Sequence, residues 1–498
     1  RVIESLFATQ KRYPRETIKH VLRDGLMLQF HDILPGSSIG KMYREADSLY
    51  ARMFATLGEL IVEYLESNRT DWNFISSSFF TRGRETKRSK YLSIYRFNDS
   101  DDMQLVKIEG LDTDGRSYML NGRYPLTRFG DSHWLYLPLA RKGWNSFVIS
   151  EQHPVKLSKD SLILENEHIT YEFAPNGQII HAIDHATGRD RMHGASGNVL
   201  RLYADTPQKW EAWDIDFYYR QQEIETLQAV EHQYHVDNES FAALRFVYKT
   251  EHSTILQYAI LPKQGRQVYF KTHVDWNECR KLLRVEFPID FMVEWASCDI
   301  PYGVLKRKTH IQDEKDFAQF EFAARGFVDV GDGTTGAALL SDSKYGYSCR
   351  DGVLGMSLLR APLDPDPFAD LGEHSFVYAL YPYADKANHV RALSNALNDP
   401  DVAVFSEEPI MLDAQPLSLE GDGVELSVLK QAETSAALVF RAVETGGQER
   451  FVTLHCASTL VFNEANLLEE AISDTEYRNG DQIAFMPFEI KTFVQILR

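Results

Sequence analysis

The apolar period of this chain changes once, near residue 66, and the change limits the folds open to it. From Ile39 the positions Met42, Tyr43, Ala46, Leu49, Tyr50, Met53, Phe54, Leu57, Leu60, Ile61, Tyr64 and Leu65 recur at helical spacing, marking one face of a long amphipathic helix. Ser37 or Ser38 is placed to cap its first turn. Upstream, Pro14 sits where a helix can begin, Ile18, Val21, Leu22 and Leu28 continue the pattern, and Pro35-Gly36 ends it. Residues 1–12 read as the tail of another helix, opening on Arg1-Val-Ile-Glu-Ser-Leu6 without Met, as the interior of a longer sequence would. A three-helix bundle over residues 1–68 is the expected result.

After Glu66-Ser-Asn-Arg-Thr-Asp-Trp72 the pattern becomes short β-rich segments, such as Val268–Val274 and Ala436–Ala442. Asn176-Gly177, Asp332-Gly333 and Asp422-Gly423 offer hairpin turns between them. So long a β region implies large sheets packed face to face. The expected fold is mainly β: the helical bundle, then a large antiparallel β-supersandwich over 69–400, then a smaller C-terminal β-sandwich subdomain over 401–498. Asp399-Pro-Asp-Val402 and Glu407-Glu-Pro409 mark the second boundary, and 498 residues suit about three domains.

Charge and composition narrow the partners. Lys and Arg number 53 against 72 Asp and Glu, a net charge of −19, and no basic run breaks that background, so nucleic acid is excluded as an expected partner. No apolar run approaches the roughly 18 residues of a membrane helix, so no membrane partner is expected. Cys279, Cys298, Cys349 and Cys456 lie far apart with no C-x-x-C pair, which fits a reducing compartment better than a disulfide framework or a zinc knuckle.

Four features carry candidate chemistry. Gly331-Asp-Gly-Thr-Thr-Gly336 matches a dinucleotide fingerprint, but the following Ala337–Ser343 is too short and too soon polar to be the helix that motif needs, so a hairpin is expected. Asp364, Asp366 and Asp370 cluster oxygen ligands, yet two prolines and a missing Glu break the calcium-loop pattern and favour an acidic surface loop. Arg360 is a fork donor suited to hydroxyl or carboxylate oxygens, or to an ordinary salt bridge, and spacing leaves both open. His31-Asp32, at the break between two helices, can supply one metal ligand and one hydroxyl acceptor, or His31 can be a structural histidine.

Gln29-Phe-His-Asp-Ile-Leu-Pro-Gly-Ser-Ser-Ile39 resembles a signature of the α-mannosidases of glycoside hydrolase family 38. Further segments resemble the same family in the same order: Ala212–Asp216, Val274–Glu278 with Leu282–Pro288, Asp342–Gly346, Leu358–Pro362 with Asp370–His374, and Met486–Phe493. The resemblance, closest to the cytosolic and bacterial branch, implies a galactose-mutarotase-like sandwich, a cytoplasmic protein, mannose-containing oligosaccharides as substrates and a tendency to form homo-oligomers. It also implies one Zn²⁺, with His31 as a ligand, Asp32 accepting hydrogen bonds from mannose hydroxyls, and Arg360 reaching the sugar from the sheets.

In that family the nucleophilic Asp, the general acid and the remaining zinc ligands belong to an N-terminal α/β-barrel-like domain that none of these residues resembles. Retaining hydrolysis needs two carboxyl groups about 5–5.5 Å apart, and one imidazole is too few protein ligands for a catalytic zinc. The expectation is therefore the helical and β portion of a retaining zinc-dependent α-mannosidase that alone neither binds zinc tightly nor turns over substrate. The alternative is a non-catalytic carbohydrate-binding or assembly module.

Overall fold

Alternation within single strands sets the layering. In strand Phe241–Lys249, Phe241 and Ala243 enter one core while Ala242, Leu244 and Phe246 enter another, because successive side chains leave a strand on opposite faces. A strand covered on both sides reads as a continuous apolar run. The computed structural model describes residues 1–497 except 84–88, 98–102, 140–142, 153–159, 193, 290–292, 385–388 and 413–414. Its pairings form antiparallel sheets, and the chain is mainly β as expected.

The strand just described belongs to a nine-stranded sheet at the centre of the protein, whose middle strands are Thr254–Pro262, Val268–Trp276 and Gly372–Tyr383. One face packs on a six-stranded sheet containing Val199–Ala204, Lys281–Pro288 and Val353–Leu359, with Trp276 and Phe287 fully buried between them. The other face packs on a second nine-stranded sheet, where Phe129 and Trp134 meet Phe241 and Tyr269. Full burial of each such ring contributes on the order of 2 kcal/mol.

That second sheet is built from strands between Phe74 and Gln152 together with Val402–Ser406, which pairs with Phe74–Ser77 on one side and Tyr91–Arg96 on the other. The boundary read from the sequence at residue 401 therefore comes one strand early. Pro400 follows the helix His389–Asn398, and the chain returns to an earlier sheet before the last sandwich begins. That sandwich joins a three-stranded sheet (Leu417–Glu420, Arg450–Cys456, Gln482–Phe485) to a five-stranded one that includes Val424–Gln431 and Leu438–Glu444.

Five α-helices lie among the described residues: α1 (Val2–Phe7), α2 (Arg15–Met27), α3 (Gly40–Ser67), α4 (Glu314–Ala318) and α5 (His389–Asn398). Helices α2 and α3 pack together through Val21, Leu28, Ala46 and Met53. Helix α1 packs on α3, where Phe7 meets Tyr64 edge-on, and its Val2, Ile3, Leu6 and Phe7 also share a core with Leu429 and Phe440 of the C-terminal sandwich, a second neighbour beyond the expected bundle. The serine cap is also absent, since Ile39 occupies the cap position of α3 with no side-chain hydrogen bond. Asn176-Gly177 and Asp332-Gly333 turn hairpins, and Gly331 pairs with Gly336 as expected for a hairpin. Asp422-Gly423 instead carries the chain from Leu417–Glu420 in one sheet to Val424–Gln431 in the other.

Candidate functional site

His31 and Asp32 sit on the turn leaving α2, held by tight backbone bonds: Ile33 N–H to Phe30 O at 2.9 Å and Leu34 N–H to Phe30 O at 3.0 Å. Leu28, 1% exposed, anchors the near end. The far end is pinned by Tyr43 of α3, whose hydroxyl accepts from Ser38 N–H at 2.7 Å and donates to Asp32 O at 3.2 Å. The imidazole is thereby presented to solvent, its side chain 69% exposed, with Nε2 3.5 Å from Asp32 Oδ2. Asp32 Oδ1 is buried and has no hydrogen-bond partner, a costly state for a carboxylate oxygen unless something arrives to donate to it.

Two loops converge on this turn. In the first, Trp213 brings its indole edge-on to the His31 ring, centroids 6.4 Å apart. Its turn is closed by Trp213 and Asp214 N–H donating to Trp210 O at 2.8 and 3.0 Å, with Trp210 in the left-handed region at φ 62°. The second loop, residues 360–371, carries the acidic run. Asp366 lies over the start of α3, where a Cβ on Gly40 would stand 2.8 Å from Asp366 Oδ1, so any larger residue there would displace the carboxylate. Ala361 N–H donates to Asp370 Oδ2 at 3.2 Å, with both residues left-handed at φ 69° and 58°.

Arg360 fixes these loops together. Its Nε and Nη2 donate to the two oxygens of buried Asp205 at 2.6 and 3.0 Å, and Nη2 also donates to Glu211 O at 3.0 Å and Asp214 O at 2.7 Å. Of the two readings left open by the sequence, the salt bridge is thus present, and the arginine clamps the Trp213 turn from behind. Glu211 adds a second clasp, accepting from Leu363 N–H at 2.9 Å and pairing with Arg280, whose guanidinium holds the Glu211 carboxyl below the usual carboxylate range. Burial and the nearby Asp366, Asp370 and Asp32 carboxylates raise the Tyr43 hydroxyl pKa, opposed by the Ser38 hydrogen bond. Burial lowers the Lys344 ammonium pKa, opposed by the nearby Asp370 and Asp342 carboxylates.

The turn after α2, the start of α3, the 210–214 turn and the 360–371 loop thus meet around His31 and Asp32. Sequence reasoning singled out His31, Asp32 and Arg360 but assigned nothing to the exposed rings beside them: Phe30 is 54%, Trp213 57%, Trp210 67% and Phe368 74% exposed. Their signal was available, since two tryptophans within the turn Trp210-Glu-Ala-Trp213 have no strand or helix face to bury them. For a metal ion the donor set is partial. His31 offers one imidazole, whereas a catalytic zinc takes three protein ligands, and among the described residues no group of three or more His, Cys, Asp or Glu could hold a metal ion. The site is an open surface. A cavity of about 750 Å³ lies elsewhere, between α5, the central sheet and the C-terminal sandwich.

Comparison with known proteins bears on this arrangement. Residues 1–67 match the α-mannosidase middle domain, residues 164–368 the C-terminal domain of glycosyl hydrolases family 38, and residues 423–493 the C-terminal β-sandwich domain of that family. Alpha-mannosidase G of Dictyostelium discoideum is 27% identical over 94% of this chain and 47% of its own length. Alpha-mannosidase 2C1 of Homo sapiens is 28% identical over 99% of this chain and 46% of its own. The chain spans about half the length of the curated relatives it matches. A crystal structure of an α-mannosidase from Enterococcus faecalis shares the fold with a TM-score of 0.74 at 17% identity, covering 99% of this chain and 65% of that one. With three of the family's domains following one another in order along it, the chain belongs to glycosyl hydrolase family 38.

Proposed function

We propose that this chain is the helical and β-sheet part of a retaining, zinc-dependent α-mannosidase that hydrolyses terminal α-D-mannosides of oligosaccharides, with the nucleophile and general acid supplied by a further segment. The observation that carries the reading is the convergence of His31, Asp32 and the Trp213 turn on one exposed edge, with a buried acceptor, Asp32 Oδ1, left without a donor. A sugar hydroxyl is a donor of the right kind for that oxygen. His31 would contribute its imidazole to the zinc, which when bound supplies a Lewis-acidic grip on vicinal sugar hydroxyls. Asp32 orients the same sugar by accepting from a hydroxyl, Trp213 and Phe30 narrow the access of water, and Arg360 holds the Trp213 turn in place as a positioning residue. The exposed leucines of α2 and of the turn that follows it, Leu22 at 51%, Leu26 at 67% and Leu34 at 65%, offer an apolar seat for the segment that completes the site.

Alone, the 498 residues then neither turn over an aryl α-mannoside nor bind zinc tightly. Hydrolysis should appear when they are co-expressed with the amino-terminal half of one of the longer relatives, and a chelator should abolish it. Robust turnover by the chain alone, or chelator-resistant activity of the combined protein, would sink the proposal. We extend the reading to a cytoplasmic location, supported by four free thiols, Cys298 and Cys349 buried among them, and to homo-oligomerisation, to be checked by light scattering. No helix among the described residues is long and apolar enough to cross a membrane. The second reading, a carbohydrate-binding module, is favoured by the exposed rings of Trp210 and Phe368, and predicts mannoside binding that a chelator leaves unchanged.

A further inference from the structure

The 750 Å³ cavity falls within the range of small-ligand sites, about 300–1,000 Å³. Its walls come from the edge of the central sheet (Lys306, Asp329), from α5 (Arg391) and, in the C-terminal sandwich, from two turns (Asp422, Phe488) and the start of strand Arg450–Cys456. Two of the charged side chains at its margin are engaged elsewhere, Arg96 with Asp401 and Asp399 with Arg1. Of the rest, Arg391 is held by Asp299 at 2.9 Å, Lys306 donates to Ser297 Oγ at 2.6 Å, and Glu425 accepts from Asn395 at 3.0 Å.

Arg450 and Asp422 differ from these. Arg450 Nε is buried with no hydrogen-bond partner, and exposed Asp422 lines the same cavity. The guanidinium lies against Gly423, at φ 79°, where a Cβ would approach Nε to 3.0 Å, so the turn that departs from the hairpin expected there is shaped around the arginine. Phe488 stands beside them at φ 59° with its ring 46% exposed.

Charge decides the ligand class. With Lys306, Arg391 and Arg450 facing Asp329, Asp422 and Glu425, an anion would meet three carboxylates and a cation three basic groups. A neutral polyhydroxyl compound satisfies both sets, because each hydroxyl donates and accepts, while its C–H face can lie on an exposed ring. We infer that this cavity is a second saccharide-binding site, remote from His31, which holds a mannose oligomer between Arg450, Asp422 and Phe488. The choice of mannose rests on the function proposed above; the choice of a neutral sugar rests on the lining.

The test is titration of the full chain with linear α-mannotriose by isothermal calorimetry. Saturable binding is expected, weakened about tenfold or more by Arg450→Ala and by Asp422→Asn and reduced by Phe488→Ala, with melting temperatures confirming that each variant is folded. Binding lost in Asp32→Ala but intact in Arg450→Ala and Asp422→Asn overturns the cavity site and leaves the mannosidase reading standing. So does an absence of saturable binding by the wild-type chain when the combined protein still hydrolyses an aryl mannoside. If neither binding nor hydrolysis is found, both readings fail together. Binding of inorganic phosphate without binding of the trisaccharide also overturns the proposal.

Discussion

Arg96 and Arg360 make the same fork in two different settings. Arg96 grips both oxygens of Asp401 and also donates to Gln104 Oε1 at 2.6 Å and Leu105 O at 2.9 Å. Arg360 grips both oxygens of Asp205 and also donates to two carbonyls of the 211–214 turn. What differs is the far end of the clamp. Arg96 ties strands of one sheet, its side chain 5% and that of Asp401 6% exposed, whereas Arg360 ties loops, at 22% against 2% for Asp205. The first fork holds the scaffold together. The second sets the orientation of a surface turn, so its loss should be read in the site before it is read in the fold.

The sharpest break of that contrast is Asp401→Ala. It leaves the Arg96 guanidinium buried without its counter-charge, a change worth about 3–5 kcal/mol, and urea unfolding should show that loss as a lowered midpoint. The same sheet offers a second break by pH. Burial, with Arg128 and Lys271 nearby, lowers the His133 pKa from 6.5 to about 4. Between those values the unfolded chain binds the extra proton, so this contribution is complete above pH 6.5 and is lost as pH falls toward 4. Up to about 3 kcal/mol is at stake, and His133→Gln should flatten the dependence of melting temperature on pH over that window.

On the loop side, Arg360→Lys keeps the charge but gives up the fork and the two carbonyl contacts. We expect about 1–2 kcal/mol of destabilisation and a fall of about a hundredfold in kcat/KM of the combined protein, measured on an aryl α-mannoside. If stability falls as far as in Asp401→Ala while kcat/KM of the remaining folded enzyme is unchanged, the contrast is wrong. The smallest effect belongs to Trp213→Ala. As an exposed ring it should alter stability by no more than about 0.5 kcal/mol, and its mark should appear as a raised KM.

Much of the architecture was legible because it rests on period. The shift from helical to strand spacing near residue 66 located α3 and the start of the sheets, and two hairpins were announced by Asn176-Gly177 and Asp332-Gly333. What escaped is non-local. Nothing in Val402–Ser406 says that its partners are Phe74–Ser77 and Tyr91–Arg96, and nothing in Val2–Phe7 says that its apolar face belongs to a sandwich at the other end of the chain. The site divides in the same way. His31, Asp32 and Arg360 stand out as residue types in short motifs, but Asp205, Glu211 and Arg280 matter only through the folded contacts that aim a tryptophan at an imidazole.

The late return of Val402–Ser406 also sets an order of events during synthesis. Arg96 and Asp401 lie 305 residues apart, so the facing edges of Phe74–Ser77 and Tyr91–Arg96 wait for a partner until most of the chain has left the ribosome. Closing so long a loop slows folding, and edge strands left unpaired in the interval are templates for aggregation. A ribosome-bound chain that stops short of Val402 should therefore be a better chaperone client than one long enough for Val402–Ser406 to have cleared the exit tunnel.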